Sequence, residues 1–260
     1  KDLTDEPPHI RIFKRTEAAC GPCIFGGFLL DEGDSLLELP KPLNRRIEFV
    51  GNSIIAGYGN EDSIKGNSFK PNTENNYMAI GAITARLLNA EYSAICYSGK
   101  GVYRNYDHTT KQTVPVLYDL VQPLPKIKWH FKNWTPHVVV INLGTNDFAT
   151  GPPPQDEFVR AYYKFLIKIK NHYPKTTIIC LDGPMLIDGW PNAVNTKSLV
   201  RLYIQYAVNL ANNDGFSRIY NFSLSVNGKY GYGANWHPNV RQHQENAREL
   251  SAFVKEVMGW

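Results

Sequence analysis

The sequence predicts a doubly wound α/β fold: a three-layer α/β/α sandwich on a mainly parallel five-stranded sheet. Three observations point there. From about residue 46, short apolar runs alternate with amphipathic stretches of helical period. Several of these runs are near-continuous, as in strands covered on both faces. The chain has 260 residues, 43% of them hydrophobic, which is enough for one large core.

The expected parallel strands are Ile47–Val50, Tyr92–Tyr97, His137–Leu143, Thr177–Leu181 and Ile219–Phe222. Tyr77–Leu88 reads as the first helix between them. Asp156–His172 is the next, with Phe158, Tyr162, Leu166 and Ile169 on one side. Lys197–Asn212 is the third. The last is expected to begin at Pro238, a favoured first helical residue, and to run through Val240, Ala247, Leu250 and Val254. Residues 1–45 follow another grammar. Ile10-Arg-Ile-Phe-Lys-Arg alternates apolar with polar residues, which predicts a half-buried strand. This stretch is expected to be a β-rich segment ahead of the α/β domain at 46–260. Gly57–Asn76 is a long polar loop, a kind that often carries function.

Composition narrows the partners. The net charge is +4 without a dense Lys/Arg cluster, which argues against nucleic acid. The longest apolar stretch, Val138–Leu143, is too short to cross a bilayer, so no membrane insertion is expected. Cys20-Gly-Pro-Cys23 has the spacing of a redox pair, but its flanks read as strands rather than as a strand-to-helix turn. Cys96 and Cys180 sit in apolar runs and read as small core residues.

Four short signals fall just after predicted strands or at the start of a helix. Gly51-Asn52-Ser53-Ile54 follows the first strand and puts a serine at the carboxyl edge of the sheet. Ser98-Gly99-Lys-Gly101 follows the second, and Gly99 can bring a backbone N–H close to a ligand. Gly144-Thr-Asn146-Asp147 follows the third and offers a neutral amide donor. Trp236-His237-Pro238 precedes the final helix. Each alone has a bland reading: a turn serine, ordinary glycines, a helix cap, a structural histidine. Together they place one nucleophile, one base and three oxyanion donors at one rim, which is what acyl transfer needs.

In this order the four blocks resemble the SGNH hydrolases, whose fold is flavodoxin-like. Lys14-Arg-Thr-Glu-Ala, Ile47-Glu-Phe-Val-Gly, Gly57-Tyr-Gly-Asn, Ser98-Gly-Lys-Gly-Val-Tyr, Asn142-Leu-Gly-Thr-Asn-Asp-Phe and Trp236-His-Pro narrow the resemblance to family two of the carbohydrate esterases. That resemblance implies an acetylxylan-esterase-like enzyme, and it implies that residues 1–45 are the last strands of a jelly-roll domain. Ser53 would be the nucleophile and His237 its base. The oxyanion would be held by the N–H groups of Ser53 and Gly99 and by the Asn146 side chain. No metal or organic cofactor is implied. The substrate would be an acetylated polysaccharide or oligosaccharide, and the location secreted or periplasmic.

Two departures from the family pattern stand out. The usual block-one Asp is Asn52 here. The Asp often found two residues before the histidine is Asn235, and the position three before is Ala234. No carboxylate is then at hand to orient His237: a backbone carbonyl of this turn is expected to hold its Nδ1–H in a Ser-His dyad, and Asn235 is the candidate orienting residue. The candidate sugar platforms are Trp190, Tyr103 and Trp236, whose rings suit pyranose faces. Two other readings use the same residues: a carbohydrate-binding protein on a weakly active or inactive esterase scaffold, and an SGNH lipase or thioesterase.

Overall fold

The computed structural model describes residues 10–122, 127–191 and 193–260. Seven strands occur among them: β1 Arg45–Gly51, β2 Ala90–Cys96, β3 Leu120–Gln122, β4 Ile127–Lys128, β5 Val138–Asn142, β6 Thr177–Leu181 and β7 Ile219–Phe222. The helices are α1 Ser53–Ala56, α2 Ile80–Leu87, α3 Val114–Leu117, α4 Gln155–His172, α5 Thr196–Asn213 and α6 Val240–Met258. Five strands form one parallel sheet, as predicted, and their order is β2-β1-β5-β6-β7. β3 and β4 form a separate antiparallel ribbon that the apolar pattern did not mark.

The sheet is covered on both faces, which explains its continuous apolar runs. Val138–Asn142 is buried at every position. On one face Ile47, Phe49, Val138, Val140, Ile179 and Leu181 pack with Ile80 and Ile83 of α2 and Ala247, Leu250 and Val254 of α6. On the other face Val139, Ile141, Ile178 and Cys180 pack with α4 and α5. Phe158, Tyr162, Leu166 and Ile169 of α4 are all fully buried there. Each of the hydrocarbon side chains Phe158, Leu166 and Ile169 is worth about 1.5–3 kcal/mol over its exposed state.

The last helix begins later than expected. Pro238 lies outside it, and Asn239 is the N-cap, its side chain accepting from Gln242 N–H at 3.0 Å. A side chain that satisfies a free amide outcompetes proline's fixed φ in setting the start.

The expected β-rich segment is corrected. Residues 10–44 contain no strand, only a 3-10 turn at Ala18–Cys20; residues 1–9 lie outside the described part. Alternation alone makes no strand without a ladder partner and a surface to bury one face. Ile10 and Ile12 have neither and stay 69% and 58% exposed. The segment is tied down by side chains instead, starting with Phe13 edge-on to Tyr77 at 5.0 Å.

One core group carries a pH signature. Glu48 of β1 is 1% exposed and accepts from Tyr118 Oη at 2.7 Å. Burial pushes its carboxyl from 4.5 up to about 7. Between those values the folded state holds more protons than the unfolded chain, so this residue's contribution falls as pH rises through the window. Glu48→Gln is therefore expected to gain thermal stability relative to the parent between pH 4.5 and pH 8. Melting curves at the two pH values check this, and an identical difference at both would contradict it.

Candidate active site

The strand order turns back between β1 and β5, so the loops after these strands diverge and leave a crevice at their carboxyl ends. Gly51 pairs with Cys96 on one side and Asn142 on the other. Hence Ser53, Ser98-Gly99 and Gly144–Asp147 leave the sheet at one level.

Ser53 is the first residue of α1, so its N–H has no intrahelical acceptor and is free to face a ligand. Asn52 caps the helix, its Oδ1 accepting from Ile54 N–H at 3.2 Å. A carboxylate would offer the same acceptor, so the Asp-to-Asn departure leaves the cap intact. Ser53 is 7% exposed, and its Oγ lies 2.8 Å from Nε2 of His237. The two residues are brought together across 184 positions of sequence.

The other imidazole nitrogen decides the tautomer. His237 Nδ1 lies 3.1 Å from the Ala234 carbonyl and 3.0 Å from the Asn235 carbonyl. A carbonyl can only accept, so Nδ1 carries the proton and Nε2 turns its lone pair to the Ser53 hydroxyl. This is the orienting task an Asp performs in a Ser-His-Asp triad. The Asn235 carboxamide does not take part: its Nδ2 donates to Tyr58 Oη at 2.8 Å. The Asn235 carbonyl is thus one of the two groups that orient the ring. The reason is local geometry. Asn235 is left-handed (φ 47°, ψ 44°), which swings its carbonyl under the ring and its side chain away.

Tyr58 stacks on His237 at 4.3 Å and on Phe69 at 4.3 Å, so the ring is held from its flat side as well. The polar loop after α1 supplies this bracket. It accepts the Ala234, Asn235 and Trp236 amides through the carbonyls of Gly59, Asn67 and Lys65, at 3.0, 3.1 and 3.1 Å. A side chain at Gly59 would collide with Ala234, so only glycine allows this approach.

Desolvation drops the His237 imidazole from 6.5 to about 4, with the two carbonyl bonds pulling weakly the other way. The ring is neutral, and so able to act as a base, down to near that value. The acid limb of kcat/KM is therefore expected near pH 4, not near 6.5. A pH–rate profile checks this, and a limb at 6.5 would contradict the geometry. The unfolded chain binds a proton more readily between 6.5 and 4, so this residue also lowers stability as pH falls through that window.

Gly99 has φ +77°, and the space where its Cβ would stand is open. Asn146 is 9% exposed and spends one amide hydrogen on the Lys100 carbonyl at 2.8 Å, leaving the second for a ligand. Asp147 next to it is fully buried and accepts from the Val102, Tyr103 and Arg104 amides at 3.1, 2.8 and 2.9 Å. It clamps the loop after β2 to the loop after β5. Tyr103, whose amide this clamp holds, is half-buried and packs against the edge of the large core. Trp190 and Trp236 are each 52% exposed, and the Lys65 ammonium sits over the Trp236 ring at 4.4 Å.

Sequence reading passed over Tyr58, Asp147 and Glu17, although all three stand inside the quoted blocks. Their tasks depend on partners far along the chain, which residue type alone does not reveal. The Cys20 thiol is pushed up to about 11 by burial and by the Glu74 carboxylate, the opposite of an activated redox thiol, and all four cysteines are free. Among the described residues no cluster of His, Cys, Asp and Glu suits a metal ion, and no helix is long and apolar enough to cross a membrane.

Residues 49–245 match the model of the GDSL-like Lipase/Acylhydrolase family. The fold also superposes on a family two carbohydrate esterase from Clostridium thermocellum, solved in complex with cellohexaose, with a TM-score of 0.81 and 40% identity. That match covers 87% of this chain and 68% of the other. The chain belongs to the GDSL-like lipase/acylhydrolase family, among the family two carbohydrate esterases. It is also 40% identical to the cellulase/esterase CelE of Acetivibrio thermocellus across 99% of its own length and 31% of that protein's. It therefore spans about a third of that relative. An acetylxylan esterase / glucomannan deacetylase of Cellvibrio japonicus is 28% identical over 96% of this chain and 69% of its own.

Proposed function

We propose that the chain is a serine esterase that removes O-acetyl groups from plant cell-wall polysaccharide, acetylxylan or a related glycan, through a Ser-His dyad. The observation that carries this is the 2.8 Å contact between Ser53 Oγ and a His237 Nε2 whose opposite nitrogen faces two carbonyls. His237 takes the Ser53 proton as Oγ attacks the ester carbonyl. The oxyanion rests on the N–H groups of Ser53 and Gly99 and the free hydrogen of Asn146. His237 then protonates the departing sugar oxygen, and a water whose proton His237 takes attacks the acetyl-enzyme, releasing acetate and returning the proton to Ser53 Oγ. The half-exposed Trp190 is the platform for a sugar ring. An acetylated glycan is a substrate met outside the cytoplasm, so the enzyme acts as a secreted or periplasmic one.

The relatives' names support the acetyl-ester reading. The second reading, a carbohydrate-binding protein without turnover, draws on the relative that was solved with cellohexaose. Acetate release from acetylated xylan, a chain-length series of 4-nitrophenyl esters and calorimetry with cellohexaose decide the matter. Turnover is expected to be fastest with acetyl and to fall with longer chains. Rates that rise with chain length would make it a lipase. Cellohexaose binding without acetate release would make it a binding protein.

A further inference from the structure

The loop that carries Gly99 is anchored from an unexpected quarter. The Ser98 amide, one residue before the proposed oxyanion donor, donates to Glu17 Oε2 at 2.7 Å. A bond from a backbone N–H to a carboxylate is among the stronger ones a loop can make. Glu17 is 7% exposed. Its own N–H donates to Glu74 Oε2 at 3.0 Å, and Glu74 is completely buried. The segment around it is pinned to the loop that follows α1. The Asn76 amide donates to the Arg15 carbonyl at 2.9 Å, and the Arg15 guanidinium pairs with Glu61. Lys14 Nζ folds back on the Glu17 carbonyl at 3.0 Å.

We infer that Glu17 is a positioning residue for catalysis: its carboxylate holds the Ser98–Gly99 turn so that the Gly99 amide points at the oxyanion. This rests on the reading of Gly99 as an oxyanion donor. The turn needs such a hold. Gly99 is unpacked on the open side, and φ +77° is a conformation that glycine's freedom permits but does not enforce. Its other ties are Tyr97 N–H to the Gly51 carbonyl and Lys100 N–H to the Tyr97 carbonyl, both at 3.3 Å, and Tyr106 N–H to the Gly99 carbonyl and Asn146 Nδ2 to the Lys100 carbonyl, both at 2.8 Å. None of these holds the Ser98 amide itself, which Glu17 does. A buried carboxylate makes chemical sense here because a backbone amide needs an acceptor, and a carboxylate or carboxamide oxygen supplies one while water or an aliphatic chain would leave the turn loose. Misplacing a catalytic donor by about 1 Å can cost on the order of 10²-fold. On this account the segment that does not form strands still serves the active site.

The test compares Glu17→Met, which keeps the volume and loses the acceptor, with Glu17→Gln, which keeps an acceptor oxygen. Glu17→Met is expected to lower kcat on 4-nitrophenyl acetate by about 10- to 100-fold with little change in KM. Glu17→Gln is expected to restore kcat to within about threefold of the parent. Equal kcat values in Glu17→Met and the parent would overturn the inference, as would equal losses in both variants. Amide hydrogen exchange on the unaltered protein gives a second readout, valid even if Glu17→Met fails to fold. The Ser98 amide should exchange at least about tenfold more slowly than that of Gly99, and equal rates would also overturn the inference. A parent without any esterase activity would instead overturn the proposed function, while the exchange data would still judge the anchor.

Discussion

Ser53→Ala is expected to lower acetyl-ester turnover by about 10⁵- to 10⁶-fold, as loss of the nucleophile does in other serine hydrolases. The physical reason is that Ser53 Oγ is the atom to which His237 Nε2 is aimed, at 2.8 Å. Without it the covalent step has no acceptor for the acyl group, and only oxyanion stabilisation of a water attack remains. Folding should be unaffected. Ser53 is 7% exposed, and among the described residues its hydroxyl bonds only to His237. His237→Ala should be nearly as damaging, and the double variant no worse than either single one, because the two residues act as a unit. Initial rates with 4-nitrophenyl acetate, alongside circular dichroism, provide the measurement. A Ser53→Ala protein that keeps a tenth of parental kcat would remove the basis for the mechanism.

Asn146→Ala is expected to cost about 10²–10³-fold in kcat, the usual effect of deleting one oxyanion donor. KM should change little, because the donor is needed where negative charge develops and not in the ground state. Part of the loss will come through position. The same amide donates to the Lys100 carbonyl at 2.8 Å and so ties the Gly99 loop to the β5 loop. Asn146→Asp separates the two contributions from simple shape. It keeps the volume, replaces the donor by an acceptor, and adds a negative charge beside the oxyanion, so it should be at least as inactive as alanine. Steady-state kinetics on both variants checks this. An Asn146→Ala enzyme within threefold of the parent would assign the oxyanion to backbone amides alone.

Much of the architecture was legible in residue order. The five parallel strands fall within two residues of their expected bounds because a strand covered on both faces leaves a continuous apolar run, as at Val138–Asn142. The helices announce themselves through one buried stripe, as with Phe158, Tyr162, Leu166 and Ile169. The N-terminal segment misled because alternation at Ile10–Arg15 is a local pattern, whereas a strand is a pairing.

By itself the sequence determined the sheet, its helices, and a serine, a glycine, an asparagine and a histidine each placed after a strand or before a helix. Those features follow from short-range periodicity and from the chain reversals at strand ends. Only the tertiary structure decided what replaces the absent Asp, where Asn235 points, and that Tyr58 and Glu17 reach the site. Each of these depends on hydrogen bonds or stacking between segments far apart in the chain, and such contacts are set by three-dimensional packing that residue type alone does not encode.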